Sequence, residues 1–366
     1  MKYLHSILPV LLLSVLTAQP LMAQERDVLN HMDLGVTLSV AGIGADIAMP
    51  VGDYVRLRTG FTYMPHFTLT SNFGVEMNGA SLNDSQRRRM KDMMRHFTGT
   101  EMQDNVDMDM QPTWNNFKFL VDFMPIPGNR HWSVTAGFYA GPSRIGRAVN
   151  AEDATPTLAA VNMYNSMYMK ACKGLPMLQY EDSRGNMHDA DLPQDMIDRL
   201  LSAGMMGMPL GHFADGDKAM MVPNENSVAK ATMEVSKFRP YIGLGYNTAL
   251  SPDGKWKLSV DAGVMFWGGK PKVYVDNVYK LKSIVCDADY WYYDTTWMQI
   301  EWVDENTFFP VFDENGEVIY EDVQPQRIDL TRDVSDIRGK VGDMVKTVKK
   351  FTCLPMVGIT VSHSLF

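Results

Sequence analysis

Apolar residues recur at every second position in eight separate stretches of this chain, and that period narrows the fold more than any other feature. The clearest pair of stretches spans residues 239–267. Trp256, Leu258, Val260, Ala262, Val264 and Phe266 are apolar, and Lys257, Ser259, Asp261, Gly263 and Met265 lie between them. Upstream, Ile242, Leu244 and Tyr246 alternate with Gly243, Gly245 and Asn247. Ser251, Pro252, Asp253 and Gly254 separate the two halves with turn chemistry, because proline presets φ and glycine permits a positive one. The pattern predicts a hairpin with one greasy and one polar face.

The same alternation predicts strands at about 33–41, 43–51, 54–65, 115–124, 132–142, 238–250, 256–268 and 354–366. Leu34, Val36, Leu38 and Val40 alternate with Gly35, Thr37, Ser39 and Ala41, and Phe117, Phe119, Val121 and Phe123 with Lys118, Leu120, Asp122 and Met124. Three features assign the apolar face to lipid rather than to a core. It is continuous over all the strands, and no helix pattern lies between the first three to cover it. Connections after the second, fourth and sixth strands are short, whereas residues 67–113, 143–237 and 269–352 form long insertions. Aromatics also gather at both strand ends. Tyr54, Phe123, Trp132 and Trp256 lie at the short-turn end, and Phe61, Tyr63, Trp114, Phe117, Phe266 and Trp267 at the other.

The N-terminus agrees with export. Lys2 precedes an apolar run from Ile7 to Leu16, small residues follow, and a cut after Ala23 makes residues 1–23 a signal peptide. No cysteine follows that site, so lipoprotein anchoring is not indicated. No later stretch has the roughly 18 consecutive apolar residues of a transmembrane helix. The net charge of −9 argues against nucleic acid as a partner. Cys172, Cys286 and Cys353 lack metal-ligand spacing, and one bridge plus a free thiol remains open.

These stretches resemble small outer-membrane β-barrels of the OmpA/OmpX type in their export signal, even strand number and C-terminal aromatic. The expected fold is all-β: an eight-stranded antiparallel transmembrane β-barrel with long, partly helical extracellular loops. The resemblance implies outer-membrane lipid, lipopolysaccharide and the barrel-assembly machinery as partners. One departure is Phe366, which shares the parity of Ser362 and Ser364 rather than that of Val361. A bulge near His363 would restore the usual pattern, as would a variant signal.

With the apolar face outward, the lumen receives Asp46, Arg56, Arg58, Lys118, Asp122, Lys257 and Asp261. An eight-stranded barrel is just wide enough for side chains to fill. Both charge signs occur on neighbouring strands, so the expectation is a plugged ionic network rather than a pore.

The long connections hold about two-thirds of the residues after Ala23, so function is expected there. Residues 84–97 read as a helix made basic by Arg87, Arg88, Arg89, Lys91 and Arg95. Asp104, Asp107 and Asp109 follow, a loose oxygen cluster more easily read as solvated than as a Ca²⁺ site. Residues 158–169 and 193–206 also look helical, with Pro193 near a start. His212 to Asp217 reads as a turn. Trp291, Tyr292, Tyr293, Trp297 and Trp302 are a candidate surface-binding cluster, or else part of a small β-core with a hairpin over 307–320. Val334, Ile337, Val341, Met344, Val345 and Val348 repeat at helical spacing, with Asp333 and Asp336 early and Lys346, Lys349 and Lys350 late.

No nucleophile elbow, Walker A, zinc-protease or dinucleotide motif occurs, and neither cofactor nor metal is expected. The expected role is surface binding, adhesion or structure, and not enzymatic. A small-solute channel is the first alternative. A lipid-modifying enzyme with His66 and Ser143 at the rim is the second.

Overall fold

A computed structural model describes residues 32–77, 84–99, 101–172, 175–176, 178–190, 192–281, 298–300, 320–322 and 325–365. The signal-peptide segment lies outside them, as do Trp291, Tyr292, Tyr293, Trp297, Trp302 and residues 307–319. Eight strands close into an antiparallel barrel: β1 (Asp33–Ser39), β2 (Gly42–Val51), β3 (Val55–Tyr63), β4 (Asn115–Phe123), β5 (Trp132–Ala140), β6 (Phe238–Ala249), β7 (Trp256–Phe266) and β8 (Cys353–Ser364). Each strand pairs with its sequence neighbour, and β1 closes on β8 from Asp33↔Ser364 to Ser39↔Gly358. Closure leaves no barrel edge unpaired, as a chain surrounded by hydrocarbon requires. Among the described residues no helix is long and apolar enough to cross a membrane.

The period of two becomes an inside and an outside. On β4, Asn116, Lys118, Leu120 and Asp122 are buried, while Phe117 and Phe123 are exposed. Val36, Leu38, Leu244, Ile242 and Val357 are each more than half exposed, an arrangement costly in water and favourable in lipid. Tyr54, Phe123, Trp132 and Trp256 project outward at the short-turn end, and Phe61, Tyr63, Phe117 and Phe266 at the other. Trp114 and Trp267 do not belong to that outer belt. They are buried and stack on one another at 5.5 Å between ring centroids. Both fall on the inward parity of their strands, which forces the rings toward the barrel axis.

The β6–β7 turn follows from its residues. Gly254 adopts φ +70°, and the Asp253 carboxylate accepts the Lys255 amide at 3.1 Å. In the last strand, the β8 register runs unbroken through His363 to Ser364. Of the two alternatives for the parity of Phe366, a bulge near His363 is therefore absent. Leu365 faces outward, and Phe366 lies outside the described residues.

The three long connections build one folded head. Its main sheet runs, in spatial order, Val334–Ser335, Met206–Phe213, Lys218–Met221, Lys272–Leu281, Lys230–Glu234, Arg144–Asn150, Asn105–Pro112 and Leu69–Gly74. Gln326–Asp329 and Glu76–Met77 pair alongside. The helices are α1 (Asp84–Thr98), α2 (Thr155–Cys172), α3 (Gln194–Ala203) and α4 (Gly339–Lys350). Met220 packs into one cluster with residues of α1, α2 and α3, and its neighbours Ala219 and Met221 into another with Val345 of α4. Methionine fills much of the first cluster: Met94, Met102, Met167, Met205 and Met206.

Two helix expectations shift. Residues 204–206 are not helical, because Gly204 turns the chain into the strand Met206–Phe213. Val334 sits in a sheet-edge strand rather than a helix. Asp336 and Gly339 take positive φ of 52° and 62°, so the helix begins only at Gly339 and has no acid in its first turn. Asp333 instead caps the turn before it, accepting the Asp329 amide at 2.8 Å.

Candidate functional site

The alternation delivers nine charged side chains to the barrel interior, the seven expected ones together with Asp33 and Arg239, and their geometry decides whether the bore is open. Arg58 on β3 donates from Nη1 to Asp261 Oδ2 at 2.8 Å and from Nη2 to Asp261 Oδ1 at 2.9 Å. Nη2 also reaches Asp122 Oδ1 at 2.8 Å. Its Nε lies 2.8 Å from Asp122 Oδ2 but is not aligned for a hydrogen bond. Arg56 donates from Nε to Asp122 Oδ2 and from Nη2 to Asn247 Oδ1, both at 2.8 Å. The Thr135 hydroxyl completes the shell of Asp122 at 2.7 Å.

Lys118 Nζ donates to Asp46 Oδ2 at 2.7 Å, and Thr37 donates to the same oxygen. Lys257 Nζ meets both oxygens of Asp33 at 2.8 Å, and Ser364 donates to Asp33 at 2.6 Å. All seven residues placed in the lumen by parity are therefore in ion pairs there. Asp33 completes the set, so four cations meet four carboxylates. Asp33 was missed although it shares the parity of Gly35 and Thr37, because it stands one residue before the apolar run.

A second layer lies toward the head. Leu120, Tyr139, Tyr241, Met265 and Met356 are buried together with Trp114 and Trp267. Tyr139 and Tyr241 meet edge to face at 5.6 Å. Tyr241 fits because β7 is bare beneath it: a Cβ on Gly263 would stand 2.5 Å from the Tyr241 hydroxyl. Beside this layer Arg239 is wholly buried and donates to Asn116, to the Pro142 carbonyl and, at 2.8 Å, to the Ser236 carbonyl. The void between the layers measures about 20 Å³ and is lined by Arg58, Lys118 and Asp261 on one side and Leu120, Tyr139 and Met356 on another. A single water needs roughly 10–15 Å³ of such space. The bore is thus closed twice, by paired charge and by apolar packing.

The remaining sequence candidates are dispersed. His66 rests edge-on against Tyr63 at 5.8 Å, and the Ser143 carbonyl accepts the Val235 amide at 2.9 Å. No hydrogen bond joins His66 to Ser143 among the described residues. On α1, Arg88, Arg89 and Arg95 are exposed, and Lys91 pairs with Asp104. Asp107 accepts from Asn72 at 2.8 Å and Asp109 from Thr70 at 2.7 Å, so both serve the sheet edge. No His/Cys/Asp/Glu cluster suited to a metal occurs among the described residues. At the 212–217 turn Asp215 pairs with Lys280, whose hydrogen bond holds the carboxyl below its ordinary range. Cys353 is a free thiol, and Cys286 lies outside the described residues.

A closed eight-stranded barrel, apolar outside and filled inside, defines a transmembrane β-barrel carrying a folded head at one end. No protein-family model and no curated protein sequence matches the chain. Among solved structures, Acinetobacter baumannii CarO aligns with 93% of this chain and 100% of its own, at 8% identity and a TM-score of 0.37. Acinetobacter baumannii CarO2 aligns with 91% and 98%, at 12% identity and a TM-score of 0.33. A likeness at these scores assigns no role to any residue.

Proposed function

We propose that this chain is an outer-membrane protein whose barrel is a closed anchor and whose extracellular head does the work, as a surface-binding, adhesive or structural module. The observation that carries the reading is the double seal, with a pocket of only about 20 Å³ between its two layers. A network whose charges pair with one another across the bore conducts nothing and holds the barrel in one register. The head, built from all three long connections, is far larger than the loops of about 4–6 residues that ordinarily join strands. Lipid surrounds the apolar belt, and the barrel-assembly machinery inserts it.

The alternative is a small-solute channel, and one measurement separates the two. Purified full-length protein in a planar bilayer is expected to leave the membrane electrically silent. Steady, large single-channel steps from the pure protein would overturn the closed-anchor reading. Orientation has its own test. Protease added to intact cells is expected to cut within 67–113, 143–237 or 269–352 and to spare 125–131 and 251–255.

A further inference from the structure

A polar groove of about 450 Å³ runs along the junction of barrel and head, lined by Pro142, Ser143, Arg144, Lys230, Thr232, Glu234, Lys237, Asp276 and Arg327. We propose that it binds the phosphate of a lipid headgroup in the leaflet around the head end of the barrel. The proposal rests on the reading of the barrel as membrane-embedded.

Its charge is unbalanced. Four cations face two carboxylates. Arg327 lies over Tyr274, 4.4 Å from the ring centroid, donates to Glu234 at 2.9 Å and stands 3.4 Å from Asp276. Lys230 stands 3.5 Å from Asp276, a loose pair. Arg144 and Lys237 have no anionic partner among the described residues and are exposed. Two cations without an ion-pair partner, beside a guanidinium seated over a ring, give the groove an excess of positive charge that favours an anion.

Its position selects a lipid over a free anion. Ser143 follows β5 by three residues, and Lys237 immediately precedes β6. Phe238, the next residue, projects outward, stacks against Phe138 at 4.9 Å, and shares its face with the exposed Ile242. A phosphate between Arg144 and Lys237 therefore sits one residue above the aromatic belt, with acyl chains free to lie along Phe238 and Ile242. A free phosphate gains nothing from that apolar wall.

The test uses the full chain in non-ionic detergent micelles doped with diphosphorylated lipid A, with retained lipid counted by native mass spectrometry. Arg144→Gln with Lys237→Gln is expected to weaken retention about a hundredfold, roughly tenfold for each of the two lost charge-assisted contacts. Arg144→Lys with Lys237→Arg is expected to retain it. Lys346→Gln with Lys349→Gln, exposed on α4, is expected to change nothing. Equal retention by wild type and the neutralised variant overturns the proposal. So does retention of fully dephosphorylated lipid A at wild-type level, or complete displacement by millimolar inorganic phosphate, which marks a free-anion site. If the neutralised pair fails to fold, Lys237→Gln alone against Lys237→Arg decides on the same readout. Resistance of the same preparation, refolded into lipid vesicles, to alkaline extraction separates failure of this site from failure of the membrane-embedded reading.

Discussion

Arg58 and Asp261 meet across the full width of the bore, since β3 and β7 stand on opposite sides of the closed ring. A bridge of this kind fixes the barrel's cross-section as well as its charge. Removing one partner of a buried pair leaves the other uncompensated, at a cost of about 3–5 kcal/mol. Asp261→Ala is expected to lower unfolding stability in lipid vesicles by about the lower end of that range, because Arg58 keeps Asp122. A double-mutant cycle between Arg58 and Asp261 that shows no coupling contradicts the bridge.

The two faces of β7 predict opposite responses at adjacent positions. Val260 points to lipid and Ser259 into the bore, where it donates to Asn247 at 2.6 Å. Val260→Arg is expected to cost about 2–4 kcal/mol near the midplane. Ser259→Thr keeps the hydroxyl and is expected to fold as wild type does. Vesicle-folding yields that drop equally for both would reverse the facing.

The double seal predicts that single lesions do not open the bore. Tyr241→Ala removes a ring from the apolar layer and leaves the ionic layer intact, so bilayer recordings are expected to stay silent. Tyr241→Ala combined with Arg58→Ala removes bulk from both layers, and conducting steps are expected only then. Gly263→Ala brings a methyl 2.5 Å from the Tyr241 hydroxyl and 2.4 Å from the Ile242 carbonyl. It is expected to cost about 1–3 kcal/mol by overpacking, only partly relieved by Tyr241→Ala.

In the head, acid is expected to loosen the turn at Asp329–Asp333. The Asp333 carboxylate is held below its ordinary value, first by the Asp329 amide and then by Arg332. A carboxylate depressed in the folded state stabilises it above the unfolded value of about 3.9 and loses that contribution as pH falls through the folded value. Amide protection in residues 329–333, corrected for intrinsic exchange, is expected to hold through neutral pH and fall only below about pH 4. Asp333→Asn should flatten that dependence.

The barrel was legible because a lipid-facing strand writes its orientation into every second residue. Parity alone placed Arg58, Asp122 and Asp261 in the bore, and their pairing followed from the narrowness of an eight-stranded ring. Parity also holds the correction for Trp114 and Trp267, which stand beside outward-facing neighbours and so must turn inward. Arg239 was passed over because the reading of β6 began at Ile242, where the apolar run starts. The head sheet is a different case. Its strands are short, rich in methionine, and paired across gaps such as Met108↔Asn150 and Ala231↔Val275. Nothing local names those partners. Only the barrel, by bringing the ends of the long connections together, makes them neighbours.

That dependence has a consequence for how the protein is made. The strands Asn105–Pro112, Arg144–Asn150, Lys230–Glu234 and Lys272–Leu281 lie side by side in one sheet, yet they belong to three separate excursions of the chain. No excursion can complete the sheet by itself. Two must emerge on the same side before the first ladder between them can close, and all three before the sheet is complete. The finished head is therefore a certificate of correct insertion: a barrel threaded out of register has no matching set of edges to offer, and its head never assembles.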